Sequence, residues 1–103
     1  MARYLGNAFS LQMLNLSVET SVKVTPVTDM EVAEAEWKSV VGHSDTANVL
    51  STILGVEVPF NRESVKLEPG DVLYVAQVTG GRLPEGATTL PDGISLSFLK
   101  VTL

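Results

Sequence analysis

The chain has 103 residues, a net charge of −5, a single histidine and no cysteine, which is one core's worth of sequence. That balance excludes a protein that wraps duplex DNA or an anionic membrane, because sequence-independent phosphate binding needs a broad basic face; it also leaves no disulfide framework and no thiolate metal site. With 45% hydrophobic residues and a mean hydropathy of +0.24, a domain this small carries more apolar surface than one core hides, which favours an oligomer.

No apolar stretch approaches the roughly 20 residues needed to span a bilayer, and the start MARYLGNAF lacks the pattern of a signal peptide. A cytoplasmic protein with no membrane partner is expected.

Ala2 to Leu5 reads as a short strand, and Leu11, Met13 and Leu14 have the spacing of a single helical turn flanked by Asn7 and Ser10. The β-branched, near-alternating run Val18–Thr25 predicts a strand ended by Pro26. Asp29–Glu36 is acidic and rich in helix formers, with Thr28 or Asp29 as N-cap. Trp37–Val41 turns extended and Gly42 breaks it. From Asp45, the apolar positions Ala47, Val49, Leu50, Ile53 and Leu54 predict a helix that Ser44 or Asp45 caps and Gly55 ends.

Val56–Phe60 alternates like an edge strand that tolerates Pro59, and Ser64–Leu67 has the length to pair beside it. Glu68-Pro69-Gly70-Asp71 is turn chemistry, and the nearly unbroken apolar run Val72–Val78 behind it predicts a buried central strand. A Gly- and Pro-rich loop follows from Gly80, and Ile94–Val101 closes the chain as a strand. The expectation is a single α/β domain over residues 1–103, with a mixed sheet of about five strands and short helices packed on it.

His43 stands where a strand gives way to a helix. A helix N-terminus offers unpaired N–H groups and a positive dipole end, suited to a phosphate oxygen, and an imidazole there can donate a proton to a leaving oxygen. By residue type alone, a lone histidine at such a boundary is more often a surface or capping residue. Two of the three arginines lie at polar corners, Asn61-Arg62 and Arg82-Leu83-Pro84-Glu85-Gly86. Guanidinium presents a planar fork that matches phosphate, although the plain alternative is a surface ion pair for each arginine and a solvated carboxylate for Glu85.

No phosphate-binding glycine loop, no HExxH and no G-x-S-x-G is present, and one histidine without cysteine cannot build the usual zinc sites. Neither a metal nor a cofactor is expected.

Four segments, in order, resemble a known family: Asn7-Ala8-Phe9-Ser10 with Met13-Leu14, Gly42-His43-Ser44-Asp45-Thr46 opening a helix that ends at Leu54-Gly55, Asn61-Arg62, and Arg82-Leu83-x-Glu85-Gly86. Nearly end to end, the chain is similar to the small viral and prokaryotic ring nucleases that act as anti-CRISPR proteins against type III systems. The resemblance implies a metal-independent enzyme that cuts cyclic tetraadenylate into linear diadenylates ending in a 2′,3′-cyclic phosphate. It also implies His43 and Glu85 as the catalytic pair. Ser10, Asn7, Arg62, Arg82, Gln77, Asp45 and Thr46 fall at positions expected near the ligand.

RNA supplies its own nucleophile in the 2′-hydroxyl, so positioning and a proton donor suffice without a cofactor. A ring of four identical nucleotides contains a two-fold axis, which a two-fold homodimer matches. Family members often carry a helix between the Glu-containing loop and the last strand; here Ala87–Gly93 is short and holds a proline and a glycine, so no long helix fits. Two other classes use the same features: a module that binds a cyclic oligoadenylate without cutting it, and a small dimeric protein-interaction domain whose polar corners are merely solvated.

Overall fold

The computed structural model describes residues 2–103. Its elements, in chain order, are β1 (Arg3–Gly6), a single 3-10 turn (Leu11–Met13), β2 (Lys23–Val27), α1 (Asp29–Glu34), β3 (Lys38–Ser39), α2 (Ser44–Leu54), β4 (Val72–Thr79) and β5 (Ser95–Thr102). The strands form one mixed sheet in the order β2-β5-β4-β1-β3. β1 runs parallel to β3 on one side and to β4 on the other, while β4–β5 and β5–β2 are antiparallel. β3 and β4 therefore point the same way, and a connection between parallel strands must cross a sheet face. α2 is that crossover.

β4 lies in the middle of the sheet and is covered on both sides, which is why its sequence reads as an unbroken apolar run. Tyr74 and Ala76 face α2, in a core with Leu5, Val41, Ala47, Leu50 and Phe98. Leu73 and Val75 face the other way, into a second core with Val40, Val65, Leu67 and Val101. Leu50 is fully buried, and burying a side chain of that size contributes about 1.5–3 kcal/mol. Gly55 closes α2 in the left-handed conformation (φ 70°), its N–H donating to Ser51 O at 3.1 Å. That conformation suits a residue without Cβ.

The helices and the central strand agree with the sequence; several boundaries do not. The strand expected over Val18–Thr25 begins only at Lys23 and runs through Pro26 to Val27. Lys23 pairs with Thr102, the last residue of β5, so the residues before it have no partner strand. Thr20 Oγ1 instead donates to Asn15 O and Val18 O, both at 3.2 Å, just after a turn in which Asn15 Oδ1 accepts from the Ser17 N–H and hydroxyl at 3.1 and 2.6 Å. Pro26 is tolerated because β2 is an edge strand.

Val56–Phe60 is not a strand. Its backbone is satisfied by side chains: Val58 N–H donates to Ser51 Oγ at 2.9 Å, and Ser39 Oγ donates to Pro59 O at 2.6 Å, leaving one isolated bridge between Val41 and Phe60. Ser64–Leu67 forms no strand either; Val65 and Leu67 plug into the second core, and the Leu67 N–H bonds Met13 O at 2.7 Å. The start of α2 is capped neither by Ser44 nor by Asp45. His43 is the N-cap residue, and it makes no side-chain cap bond.

Asp71 clamps the sheet at its start. Its carboxylate accepts from Ala2 N–H at 2.8 Å and from Glu68 N–H at 2.9 Å, joining the entry of β1 to the turn before β4. Burial by itself raises this carboxyl's pKa; the backbone donors Ala2 and Glu68 outweigh it and hold the group below its ordinary 3.8. No helix among the described residues is long and apolar enough to cross a membrane.

Candidate active site

β1 ends at Gly6, between β3 and β4, and the chain leaves the sheet through Asn7 at the end where the parallel β3 also finishes before α2. The Asn7 side-chain carbonyl accepts the Gly42 N–H at 3.2 Å, tying the exit of β1 to the residue before His43. The first intrahelical bond of α2 runs from Ala47 N–H to His43 O at 3.0 Å. The N–H groups of Ser44, Asp45 and Thr46 thus precede the helical ladder and need partners from outside it.

At this end of α2 lies an open cleft of about 560 Å³ lined by Asn7, His43, Asp45, Thr46, Val78, Gly81, Arg82, Leu83 and Glu85. Three of the four segments singled out in the sequence meet in it. The exposed His43 also borders an adjoining cleft of about 400 Å³, which holds Gly42, Arg62 and Glu63 and again Asn7. His43 and Asn7 therefore stand on the ridge shared by both. A Cβ added to Gly42 would lie 3.3 Å from Arg62 Cγ, so the glycine lets the arginine stem pack over the backbone next to the histidine.

The loop carrying Arg82 and Glu85 is anchored to α2. Gly86 N–H donates to Asp45 Oδ1 at 2.8 Å. No helix intervenes between this loop and β5, in keeping with the short Ala87–Gly93 segment.

No arginine takes part in a side-chain ion pair among the described residues. Among the described residues, the one side-chain ion pair is Lys38–Glu63 at 2.8 Å. The Lys38 hydrogen bond, with help from Asn61, lowers the Glu63 pKa, and Glu63 in turn raises that of Lys38. Lys38 thus takes up the carboxylate nearest in sequence to Arg62. The surface-ion-pair alternative for Arg62 and Arg82 is not what the structure contains. No cluster of three His, Cys, Asp or Glu side chains among the described residues could hold a metal ion.

Two expected ligand residues line neither of the clefts that His43 borders. Ser10 caps the 3-10 turn, its Oγ accepting from Gln12 N–H at 3.2 Å, and lines a further cleft with Lys66 that shares Met13 and Glu63 with the Arg62 cleft. Gln77 is exposed and lies out of phase with Val78, the β4 residue that reaches the His43 cleft, so it belongs to the opposite face of the sheet. Sequence reading missed Val78 and the Asp45–Gly86 contact. Only the alternation along β4 could have pointed to the first, and a bond between residues 41 apart leaves no local signal for the second.

Residues 3–95 match the STIV B116-like family. The chain belongs to that family. As a B116-like protein it is 31% identical over 102 residues to the ORF116 protein of Acidianus filamentous virus 1, a match covering 95% of this chain and 86% of the other. It is 40% identical over 57 residues to the ORF117 protein of Acidianus two-tailed virus, spanning 55% of this chain and about half (48%) of that relative. Among solved structures, B116 of Sulfolobus turreted icosahedral virus superposes with a TM-score of 0.81 at 25% identity, with both chains covered completely. These relatives are viral, and B116 shares the fold of this chain, a single α/β domain with a five-stranded mixed sheet.

Proposed function

We propose that this B116-like protein is a metal-independent ring nuclease that opens cyclic tetraadenylate and so silences type III CRISPR signalling. One observation carries the reading: His43, Arg82 and Glu85, from segments far apart in the chain, line a single cleft at the N-terminus of α2. A proton donor, a guanidinium and unpaired helix N–H groups around one space suit an enzyme that stabilises a phosphorane and protonates a leaving oxygen.

In the proposed reaction, the ribose 2′-oxygen forms a bond to phosphorus as the P–O5′ bond breaks in line with it, giving a 2′,3′-cyclic phosphate. His43 as imidazolium gives its proton to O5′. Glu85 serves as base for the 2′-hydroxyl proton, or as orienter of the donor with that proton passing to solvent water. Arg82, Arg62 and the α2 N-terminus balance the charge on the phosphoryl oxygens. A two-fold dimer would present the same cleft to opposite halves of the ring. The surplus of exposed apolar side chains, among them Leu11, Leu16, Val18, Val24, Met30 and Phe60, supports such a partner surface.

The test is incubation of pure protein with cyclic tetraadenylate and, separately, cyclic hexaadenylate in the presence of a chelator, followed by separation of products. Linear diadenylate with a cyclic phosphate end is expected from the tetramer. Recovery of intact ring after denaturation would identify a binder that does not cut, and absence of binding would leave a protein-interaction domain.

A further inference from the structure

The loop from Gly80 to Gly93 carries Arg82 and Glu85, yet it has little of its own to hold it still. The Ala87 N–H bond to Pro84 O at 3.1 Å closes a turn within it, and the Ile94 N–H bond to Pro91 O at 3.2 Å closes one at its exit. Arg82, Glu85 and Gly86 are exposed, and only Leu83, Ala87, Leu90 and Pro91 are even half-buried. Among the described residues, one hydrogen bond ties positions 81–93 to another part of the fold, and that is Gly86 N–H to Asp45 Oδ1 at 2.8 Å.

Asp45 is an odd residue for its place if it served the ligand directly. It lines the His43 cleft, where a carboxylate repels a phosphate. It is not the N-cap of α2, which is His43. Its position in the first turn does explain why the charge is tolerated, since the helix dipole favours an anion there. An ionised acceptor on a backbone N–H makes a stronger bond than a neutral one.

We infer that Asp45 is a positioning residue: its carboxylate holds the Glu85–Gly86 peptide against the start of α2, and thereby sets Glu85 and Arg82 relative to His43. The inference rests on the nuclease reading for its consequence but not for its geometry. It replaces the expectation that Asp45 contacts the ligand. It also accounts for the Asp45 and Gly86 positions together, because the acceptor and the donor are two halves of one contact.

The experiment compares the full chain with Asp45→Ala and Asp45→Asn. Amide hydrogen exchange at Gly86 is followed by NMR without ligand, and kcat and KM are measured separately on cyclic tetraadenylate. Asp45→Ala is expected to speed Gly86 exchange about tenfold and to lower kcat by a similar factor. KM should change less, and the melting temperature should stay close to that of the parent because the loop lies outside both cores. Asp45→Asn keeps an oxygen acceptor and should recover most of both losses.

Wild-type exchange at Gly86 in Asp45→Ala overturns the inference, as does a fall in kcat with no change in that exchange, or an Asn variant as impaired as the Ala one. If the parent protein leaves cyclic tetraadenylate intact, the nuclease reading fails by itself, while the exchange comparison still decides whether Asp45 holds the loop.

Discussion

The side-chain carbonyl of Asn7 accepts the backbone N–H of Gly42 at 3.2 Å, across 35 residues of sequence. That bond fixes the peptide before His43 to the exit of β1, so the histidine's backbone is referenced to the sheet and not only to its own helix. Asn7→Ala leaves the Gly42 donor without this partner and is expected to cost about 0.5–1.5 kcal/mol, read as a shift in the denaturation midpoint. The larger effect should be on turnover, since a small displacement of an acid from a leaving oxygen is costly to rate. A variant with full activity would detach Asn7 from the positioning of His43.

His43 itself is predicted to be needed for cleavage and not for binding. His43→Ala should lower turnover of cyclic tetraadenylate by about 10²- to 10⁴-fold, the usual reach of a general acid, while ligand affinity changes little. Affinity by calorimetry and turnover by product separation give the two numbers on the same protein. Retained turnover would remove His43 from the mechanism.

Gly80 joins β4 to the loop with φ at 94°, and a Cβ there would run into the carbonyl oxygen of Gly93 across the hairpin. Gly80→Ala therefore combines a left-handed backbone with a backbone collision. The expected loss is about 1–3 kcal/mol in chemical denaturation. The neck of the loop would have to open, so Arg82 and Glu85 should lose their place and turnover should fall as well. A stable, active Gly80→Ala variant would mean that the hairpin neck is not constrained as described.

Asp71 predicts a pH dependence of stability. Its native pKa lies below the ordinary 3.8, so its contribution is fully present above that value and is lost as the pH falls through the depressed native one. Asp71→Asn removes one of the two acceptors that join Ala2 and Glu68 and should cost about 1–3 kcal/mol at neutral pH. Denaturation midpoints from pH 7 downward should fall less steeply for the variant than for the parent below about pH 4. Parallel curves would exclude Asp71 as the titrating group.

The protein is expected to sediment as a two-fold dimer at micromolar concentration, near twice its 11.0 kDa mass. Analytical ultracentrifugation decides this, and a strictly monomeric species would oppose a ring shared between two subunits.

Much of the fold was legible because it follows from local rules. The helical spacing of Ala47, Leu50 and Leu54, the glycine after Leu54 and the continuous apolar run of β4 each name an element without reference to anything distant. The motif around His43 was legible for the same reason, as a strand end, a glycine and a helix start.

What needed the tertiary structure was every relationship whose partners lie far apart along the chain. β2 begins where β5 has a residue to pair with, so no propensity in Val18–Val22 could set that boundary. Residues 56–60 alternate like a strand, yet Ser39 and Ser51 supply the bonds a neighbouring strand would have supplied. The meeting of His43 with Arg82 and Glu85 depends on β4 delivering its end beside the start of α2, and the Asp45–Gly86 bond then fixes the loop there. Sequence settles which stretches can form helix or strand because those preferences are set within a few residues. Packing settles which side chains face one another, because that depends on the order in which the strands lie side by side.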